Sequence, residues 1–587
     1  MNRTLFDRSP GTELAQSDLQ RKLPGSDITR VRRRLTMLGI AFAIGFTALS
    51  ARVIHLSKPD LGSGMAAEAA TVAVAPELPA KWRTRSEITD RDGQLLAVDL
   101  PTHALSIETR KVRKPDRLAW RLAAALGDTT PARVLERLEK TQGALWLRWR
   151  LTPDQVAAVM RVGDPAISLV PTVTRSYPNG RLTAHVVGFM DSERQGRAGL
   201  ERGVEDQLLD PSNPPVETSI HLGVQHAVRA ELAQAVRTFS AIGGAALVMD
   251  VTNGEILSMV SLPDFDANLR ESLREDAFFN RATYGRYEMG STFKTFTAAM
   301  ALEAGKRLSD SYDATDPIRF GRFRIRDHHA RKREMTVAEI FKFSSNIGAA
   351  KMAVDVGTDG QRKFLGSLGL LERLEIEIPE LVSPQLPYRW GELETMTIGF
   401  GHGLSVSPLH LATAMGAMVN GGNLIEPTLL KRSLDNPATQ RRVISGTTSD
   451  SIRKLLRLVV ADGTGRSAAA QGYVVGGKTG TAEKAIEKGY ARKRLITSFV
   501  GVFPMHAPRY VVLAMLDEPQ GTKETSNYMT AGWNAAPTVG RIIRRVAPLL
   551  GVAPVDELDP EILRALALPP SADPFAKKAK GGRDATL

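Results

Sequence analysis

The sequence predicts an α+β protein. An antiparallel sheet covered by helices stands on a smaller N-terminal α+β pedestal, behind a single N-terminal transmembrane helix. Three observations carry this expectation. An uncharged run, LTMLGIAFAIGFTALSA at 35–51, follows a polar lead ending in RVRRR. Strand-like runs lie at both ends of 216–550, with helical apolar spacing between them. Short strands, turns such as DRDG and YPNG, and helical stretches near 115–140 and 153–162 fill residues 81–215.

The first element is the apolar run. Arg52 interrupts it, but VIHL carries it on to Leu56, so 35–56 has the length of a spanning helix whose terminal Arg can snorkel. Residues 3–34 hold eight Lys/Arg against four acids, and the positive-inside rule leaves this end in the cytoplasm. Everything after Leu56 then lies outside. The rival reading is a signal peptide cleaved near Ala48-Leu49-Ser50; the 34-residue lead and the long apolar stretch favour an uncleaved anchor.

Residues 1–34 therefore read as a cytoplasmic tail, 35–56 as the membrane helix and 57–80, rich in Ala, Pro and Gly, as a linker. Residues 81–215 form the pedestal, and the Pro-rich DPSNPPVE (210–217) marks its boundary with 216–550. In that last segment VQHAVRAELAQAVRTF (224–239) has helical spacing, and GAALVMD and EILSMV flank Asn253-Gly254, a hairpin turn. A long helical section runs from about 290 to 470, before the strands ITSFVGVF and YVVLAML and a helix near 536–549. The tail, 551–587, is expected to be disordered after 570.

Composition sets outer limits. A chain of 587 residues exceeds one ordinary core, and 43% hydrophobic with 24% charged residues is globular in type. The net charge of +13 permits an acidic partner, whether nucleic acid, anionic lipid or an anionic wall polymer. No nucleic-acid module accompanies it and the basic residues are spread along the chain, so no nucleic acid is expected as partner. Zero cysteines exclude disulfides, thiolate metal sites and a cysteine nucleophile. No metal or other cofactor is expected, and the one adjacent His pair, His328-His329, reads as loop surface.

Three short motifs carry the chemistry. In GSTFK, a spacing of three sets Ser291 and Lys294 on one helix face. A hydroxyl becomes a nucleophile only beside a base, and Lys serves when burial and a second cation hold it partly neutral. The same spacing recurs at Ser451 and Lys454, which read as a solvated helix surface. In SSN, Ser344 and Asn346 follow a helix that Thr336 and Glu339 start as a capping box. A Ser there can relay a proton, and an Asn amide can bond a peptide backbone. In GGKTGTAEK, the small residues Gly477, Thr479, Gly480 and Thr481 let an extended peptide pair along the strand, while Lys478 and the threonine hydroxyls meet its carboxylate. The stretch GYVVGGKT at 472–479 also fits a phosphate-binding loop, with Asp517-Glu518 as the acidic pair of such proteins. That reading lacks a strand before the loop and a helix after it, and outside the membrane it would find little ATP.

Ser-x-x-Lys, Ser-x-Asn and Lys-Thr-Gly in this order are the signature of penicillin-binding proteins and serine β-lactamases. The chain resembles class B penicillin-binding proteins over nearly its whole length. RSEITDRDG (85–93) is similar to the family's R-G-x-I-x-D-R-x-G, with Ser86 in place of Gly. YPNGRLTAHVVGF, GRAGLERGVEDQL, SLPDFDAN, YEMGSTFKTFTAAMALE and GFGHGLSVSPLHLATAM are similar to other family segments. KTGTAEK, DEPQG and AGWNAAPTVG resemble the division-specific septal enzyme.

The resemblance implies a fold, a penicillin-binding/serine β-lactamase-like transpeptidase domain at 216–550 on a dimerisation-type pedestal. It also implies a reaction. Ser291 attacks the D-Ala-D-Ala bond of a peptidoglycan stem peptide with Lys294 as base, and Ser344 and Lys478 assist proton transfer to the leaving D-Ala. Asn346 bonds the acyl-side amide, Thr479, Gly480 and Thr481 receive the substrate carboxylate end, and the N–H groups of Ser291 and Thr481 form an oxyanion hole. β-Lactams would be covalent inhibitors. Further implied are a lipid-linked glycan polymerase and other division proteins as partners, and a place in the bacterial inner membrane at the septum, with the catalytic domain periplasmic. An elongation-specific transpeptidase or a D,D-carboxypeptidase would use the same residues, and a silent division scaffold would retain the pedestal and anchor. A β-lactamase would need a deacylating base that no Glu here supplies.

Overall fold

The computed structural model describes residues 27–57 and 84–573, apart from 192, 211, 270–274, 322, 434–436 and 487–488; it leaves out the side chains of 27–32, 35, 51–57 and 485–492.

The apolar run lies within one helix, Asp27–Ser57, in a unit separate from the rest of the chain. Met37, Phe42, Ile44, Phe46 and Leu49 are all exposed along it. Among the described residues no helix is long and apolar enough to cross a membrane. The expected span, 35–56, includes Leu35 and residues 51–56, whose side chains lie outside those described. What remains, 36–50, falls short of the about 20 residues that spanning requires.

The pedestal is built on the long strand Leu95–Glu108, which pairs with Ile167–Ser176 along Val98↔Ser176 to Ile107↔Ile167 and also with Ala144–Arg148 and Ile88–Thr89. The helices Pro115–Leu126, Pro131–Lys140 and Pro153–Val162 bury Leu118, Leu122, Leu138 and Val159 against Leu105 and Ile107. Each begins with Pro, whose fixed φ suits the first helical position. The single helical stretch expected over 115–140 is broken by Gly127, which caps the first helix at φ +75°.

The expected boundary is stitched into this sheet: Val216–Glu217 pairs in parallel with Ile88–Thr89. Residues 84–573 accordingly belong to one compact unit. Ser86, which stands where the family pattern has Gly, is buried and donates its hydroxyl to the Asp210 carbonyl at 2.8 Å.

The main sheet has the order Gly476–Ile486, Gly489–Phe503, Tyr510–Asp517, Gly243–Asp250, Ile256–Leu262, antiparallel throughout. Alternate residues face opposite sides. Ala246, Val248, Val512 and Ala514 pack with the helices Leu222–Thr238 and Ala535–Leu549, while Ala245, Leu247, Val511 and Leu513 join the core around Pro408–Val419. Both faces are covered, which is why GAALVMD and YVVLAML are continuously apolar rather than alternating.

Two departures bear on the site. The section expected to be helical from 290 to 470 is interrupted by small ribbons: Ser311–Asp313 with Glu334–Thr336, Ile318–Phe320 with Phe323–Ile325, and Asn423–Ile425 with Gln440–Arg442. Their polar, short strands give no period-2 signal. The tail folds further than expected: a helix, Pro560–Leu566, starts at the Asp559 cap, and Leu566 and Ala572 are buried in the main core. Residues 574–587 lie outside those described.

Candidate active site

Ser291 sits in a 3-10 turn, Gly290–Phe293, that runs into the helix Lys294–Glu303. Gly290 has φ +53° and donates its N–H to the Gly401 carbonyl at 3.1 Å. A Cβ on Gly401 would stand 1.9 Å from Gly290 O, one on Gly290 2.6 Å from Thr481 O, and one on Gly480 2.4 Å from Met289 O. Only glycine lets the serine turn, the GFGHG loop and the Lys478 strand meet so closely.

Thr336 and Glu339 form the expected capping box and start the helix Val337–Phe343. It ends at Ser344, held at φ +56° and ψ +45°, a conformation that costs a non-glycine residue about 1–3 kcal/mol. This turn sets the Ser344 hydroxyl between two lysines, with Lys294 Nζ at 3.2 Å and Lys478 Nζ at 3.1 Å. Asn346 opens the next helix, Asn346–Val356. Asp327, from the segment after the second ribbon, fastens that end: its carboxylate accepts the N–H groups of Asn346 at 2.6 Å and Ile347 at 3.0 Å, and the Ser345 hydroxyl at 2.7 Å.

Lys294 Nζ lies 2.7 Å from Asn346 Oδ1, 2.9 Å from the Ser344 carbonyl and 2.9 Å from Ser291 Oγ. The amide oxygen and the carbonyl can only accept. A neutral amine has two N–H bonds, so both are committed there and its lone pair is left to take the Ser291 proton. The surroundings favour that neutral form. Lys294 and Lys478 are 1% and 0% exposed. Burial, and then the neighbouring Lys478 charge, hold Lys294 well below the ordinary lysine range, against the opposing pull of Asp327. Burial brings Lys478 down to about 7.

Lys478, Thr479, Gly480 and Thr481 lie on the outermost strand of the main sheet, paired on one side with Gly489–Phe503. Thr479 Oγ1 is 2.8 Å from Thr464 Oγ1, and Thr481 Oγ1 accepts the Ala531 N–H at 3.1 Å. The fold thus brings together Ser291, Lys294, Ser344, Asn346 and Lys478 by direct contact, and Gly480 and Thr481 through Met289 and Gly290. Asp327, Thr464 and Ala531 join them without any spacing signal in the sequence.

The second Ser-x-x-Lys is not part of this cluster. Ser451 lies in the helix Gly446–Asp462 and donates to the Thr447 carbonyl at 2.9 Å. The phosphate-loop reading also fails, because Gly476–Ile486 is strand throughout and no helix starts at Lys478-Thr479. Its acidic pair is occupied: Lys484 Nζ lies 2.7 Å from Asp517 and 2.8 Å from Glu518, and Arg494 lies 2.6 Å from Glu518. Lys478→Ala is therefore expected to slow acylation of Ser291 about 100-fold, as for loss of a preorganised donor, and to leave no ATP binding to remove. Stopped-flow acylation and calorimetry with Mg-ATP check this; magnesium-dependent ATP binding lost in Lys478→Ala would contradict it.

A penicillin-binding protein transpeptidase domain matches residues 244–543, and a penicillin-binding protein dimerisation domain matches 82–209. The chain is 37% identical to the probable peptidoglycan D,D-transpeptidase FtsI of Caulobacter vibrioides, over 91% of this chain and 90% of that protein. It is 28% identical to the peptidoglycan D,D-transpeptidase FtsI of Escherichia coli K12, over 80% of this chain and 84% of that protein. The solved transpeptidase domain of Burkholderia pseudomallei penicillin-binding protein 3 superposes with a TM-score of 0.52 at 33% identity, covering 58% of this chain and 98% of that one. With its transpeptidase and dimerisation domains and these relatives, the chain belongs to the class B penicillin-binding proteins.

Proposed function

We propose that the chain is a division-specific peptidoglycan D,D-transpeptidase that works through an acyl-enzyme on Ser291. The observation that carries this reading is the buried Lys294 Nζ at 2.9 Å from Ser291 Oγ, within reach also of Asn346 Oδ1 and of the carbonyl and hydroxyl of Ser344.

In the first half-reaction Ser291 Oγ attacks the carbonyl carbon between the two terminal D-Ala residues as its proton passes to Lys294 Nζ. The N–H groups of Ser291 and Thr481 hold the oxyanion. As the peptide C–N bond breaks, Ser344, hydrogen-bonded to both lysines, hands a proton to the departing D-Ala amine and is resupplied by Lys294. Lys478 lends positive charge beside that path. Thr481 accepts from Ala531 and Thr479 faces Thr464, so their hydroxyl protons can turn to the substrate carboxylate. Asn346 donates one Nδ2 proton to the Arg326 carbonyl at 3.0 Å and keeps the other for the acyl-side carbonyl of the stem peptide. In the second half-reaction an amine of a neighbouring stem peptide attacks the ester, loses its proton and makes the crosslink, and Ser291 regains its hydrogen.

In this reading residues 81–215 are the pedestal and 216–550 the transpeptidase domain. The helix Asp27–Ser57 anchors the chain in the bacterial inner membrane with its N-terminus cytoplasmic and the catalytic part periplasmic, at the septum. Its exposed apolar side chains and the exposed Arg33 and Arg34 before them support that reading. A lipid-linked glycan polymerase and other division proteins are its partners.

The direct test uses a labelled penicillin on the full chain, followed by digestion and mapping. The adduct is expected on Ser291. An adduct on Ser451, or none on folded protein, contradicts the reading.

A further inference from the structure

The segment 518–534 joins the strand Tyr510–Asp517 to the helix Ala535–Leu549, and it meets the threonines of the site twice. Ala531 donates its N–H to Thr481 Oγ1 at 3.1 Å. A Cβ on the next residue, Gly532, would stand 3.0 Å from the carbonyl oxygen of Thr464, whose hydroxyl lies 2.8 Å from that of Thr479. Close by in the chain, on either side of these two contacts, stand Tyr528 and Trp533. Their rings stack nearly parallel, with centroids 5.4 Å apart and planes 9° from each other, yet Tyr528 is 56% and Trp533 47% exposed.

Buried polar side chains hold the backbone of this aromatic pair. Thr525 Oγ1 lies 3.1 Å from the Tyr528 carbonyl oxygen, and Asn534 donates from Nδ2 to the Met529 carbonyl at 2.8 Å. The turn before Tyr528 is tightly wound: Ser526 and Asn527 both lie at positive φ, +51° and +62°, and a Cβ on Gly521 would stand 2.4 Å from the Asn527 carbonyl carbon. Consecutive non-glycine residues persist in that conformation only where the surrounding structure over-determines them. Residues 525–534 carry no charged side chain, and among the described residues the Tyr528 and Thr530 hydroxyls and the Trp533 indole N–H have no hydrogen-bond partner. A rigid aromatic surface with free polar groups at its edge is preorganised for a ligand that is apolar on one face, polar around its rim and uncharged.

Position in the site says which substrate reaches this surface. Both contacts of the segment fall on the threonines that receive the carboxylate of the leaving D-Ala. The amine that attacks the acyl-enzyme takes the place of the amine that left, so the acceptor comes in on this side. Resting on the transpeptidase reading, we infer that Tyr528 and Trp533 form a platform for a sugar ring of the glycan strand that carries the acceptor stem peptide. A pyranose offers a face of C–H groups to the electron-rich face of an aromatic ring, and its hydroxyls spread outward from that contact. The Tyr528 and Thr530 hydroxyls and the Trp533 N–H are there to bond them. The platform thereby holds the acceptor strand by its sugar while the amine, on the peptide, reaches the ester of Ser291.

The test runs on the full chain with one thioester donor and two acceptors, a free stem peptide and the same peptide on a tetrasaccharide of N-acetylated amino sugars. The readout is the acceptor concentration that gives half the maximal crosslinked product, taken as the ratio of the free to the glycan-borne acceptor within each variant, which cancels any general loss of active protein. The ratio is expected to be at least about tenfold in the wild-type chain, the scale of one or two aromatic stacking contacts. Trp533→Ala and Tyr528→Ala are expected to bring it close to one, and Trp533→Phe, which keeps a ring face, to retain part of it. Bare tetrasaccharide is expected to compete with the glycan-borne acceptor and not with the free peptide. A wild-type ratio near one, a ratio unmoved in both alanine variants, or no competition by the bare sugar overturns the proposal. A chain that takes penicillin on Ser291 yet gives one of those results loses the platform alone, whereas failure to take penicillin would strike the transpeptidase reading itself.

Discussion

A chain carrying Ser291→Ala takes up no labelled penicillin and, as the only copy in a cell, lets growth continue while division stops, so that cells lengthen into filaments. The size of the effect follows from the site. Ser291 Oγ lies 2.9 Å from Lys294 Nζ, and loss of the nucleophile from a serine acyl-transfer site lowers turnover by about 10⁶-fold. The inactive chain still gathers at midcell, because neither the helix Asp27–Ser57 nor residues 84–215 contains any part of the cluster. Fluorescence microscopy of a depletion strain checks both statements. Swollen or rounded cells with protein spread along the side wall would instead identify an elongation enzyme.

Lys294→Ala is expected to lower the acylation rate of Ser291 by about 10²–10⁴-fold, the range for a positioned general base. The pH profile separates this from loss of packing. Lys294 must be neutral to accept the proton, so acylation rises with pH through its lowered pKa and levels off well below the about 10.4 of an unperturbed lysine. Lys478 must be charged to hold a carboxylate, so the rate declines again at pH values above about 7, moved upward when the carboxylate is bound. The residual activity of Lys294→Ala should lose the acid limb and keep the alkaline one. Pre-steady-state acylation by one penicillin, followed from acid to alkaline pH, measures this. A variant that keeps the wild-type acid limb would remove Lys294 from the role of base.

Much of this site was legible in the sequence because its chemistry is written in local spacings. Three residues bring Ser291 and Lys294 to one turn, the Thr336–Glu339 box marks where the next helix starts, and glycines mark where backbones touch. The hairpin at Asn253-Gly254 and the buried strands GAALVMD and YVVLAML were legible for the same reason, being local turn chemistry and unbroken apolar runs. Asp327 was not. It reaches Asn346 across 19 residues from beside a ribbon whose short polar strands carry no period. Thr464 and Ala531 meet Thr479 and Thr481 only after the sheet is assembled, from 15 and 50 residues away. The helix Pro560–Leu566 was hidden in a tail whose exposed, charged composition gives little apolar stripe, although Leu566 is buried against the core. The apolar character of 35–51 is plain in the sequence, but its environment is set by what surrounds the chain rather than by the chain.

Ser291 is expected to take the acyl group of a D-Ala-D-Ala peptide and pass it to an amine. This is tested most directly by intact-mass spectrometry of the full chain after mixing with a stem-peptide donor, first alone and then with an amine acceptor. The expected result is an added mass equal to the donor less one D-Ala, mapped to Ser291, which disappears when the acceptor is added as an equal amount of crosslinked peptide forms. A chain that releases no D-Ala, or that carries the donor mass on any residue other than Ser291, would contradict it.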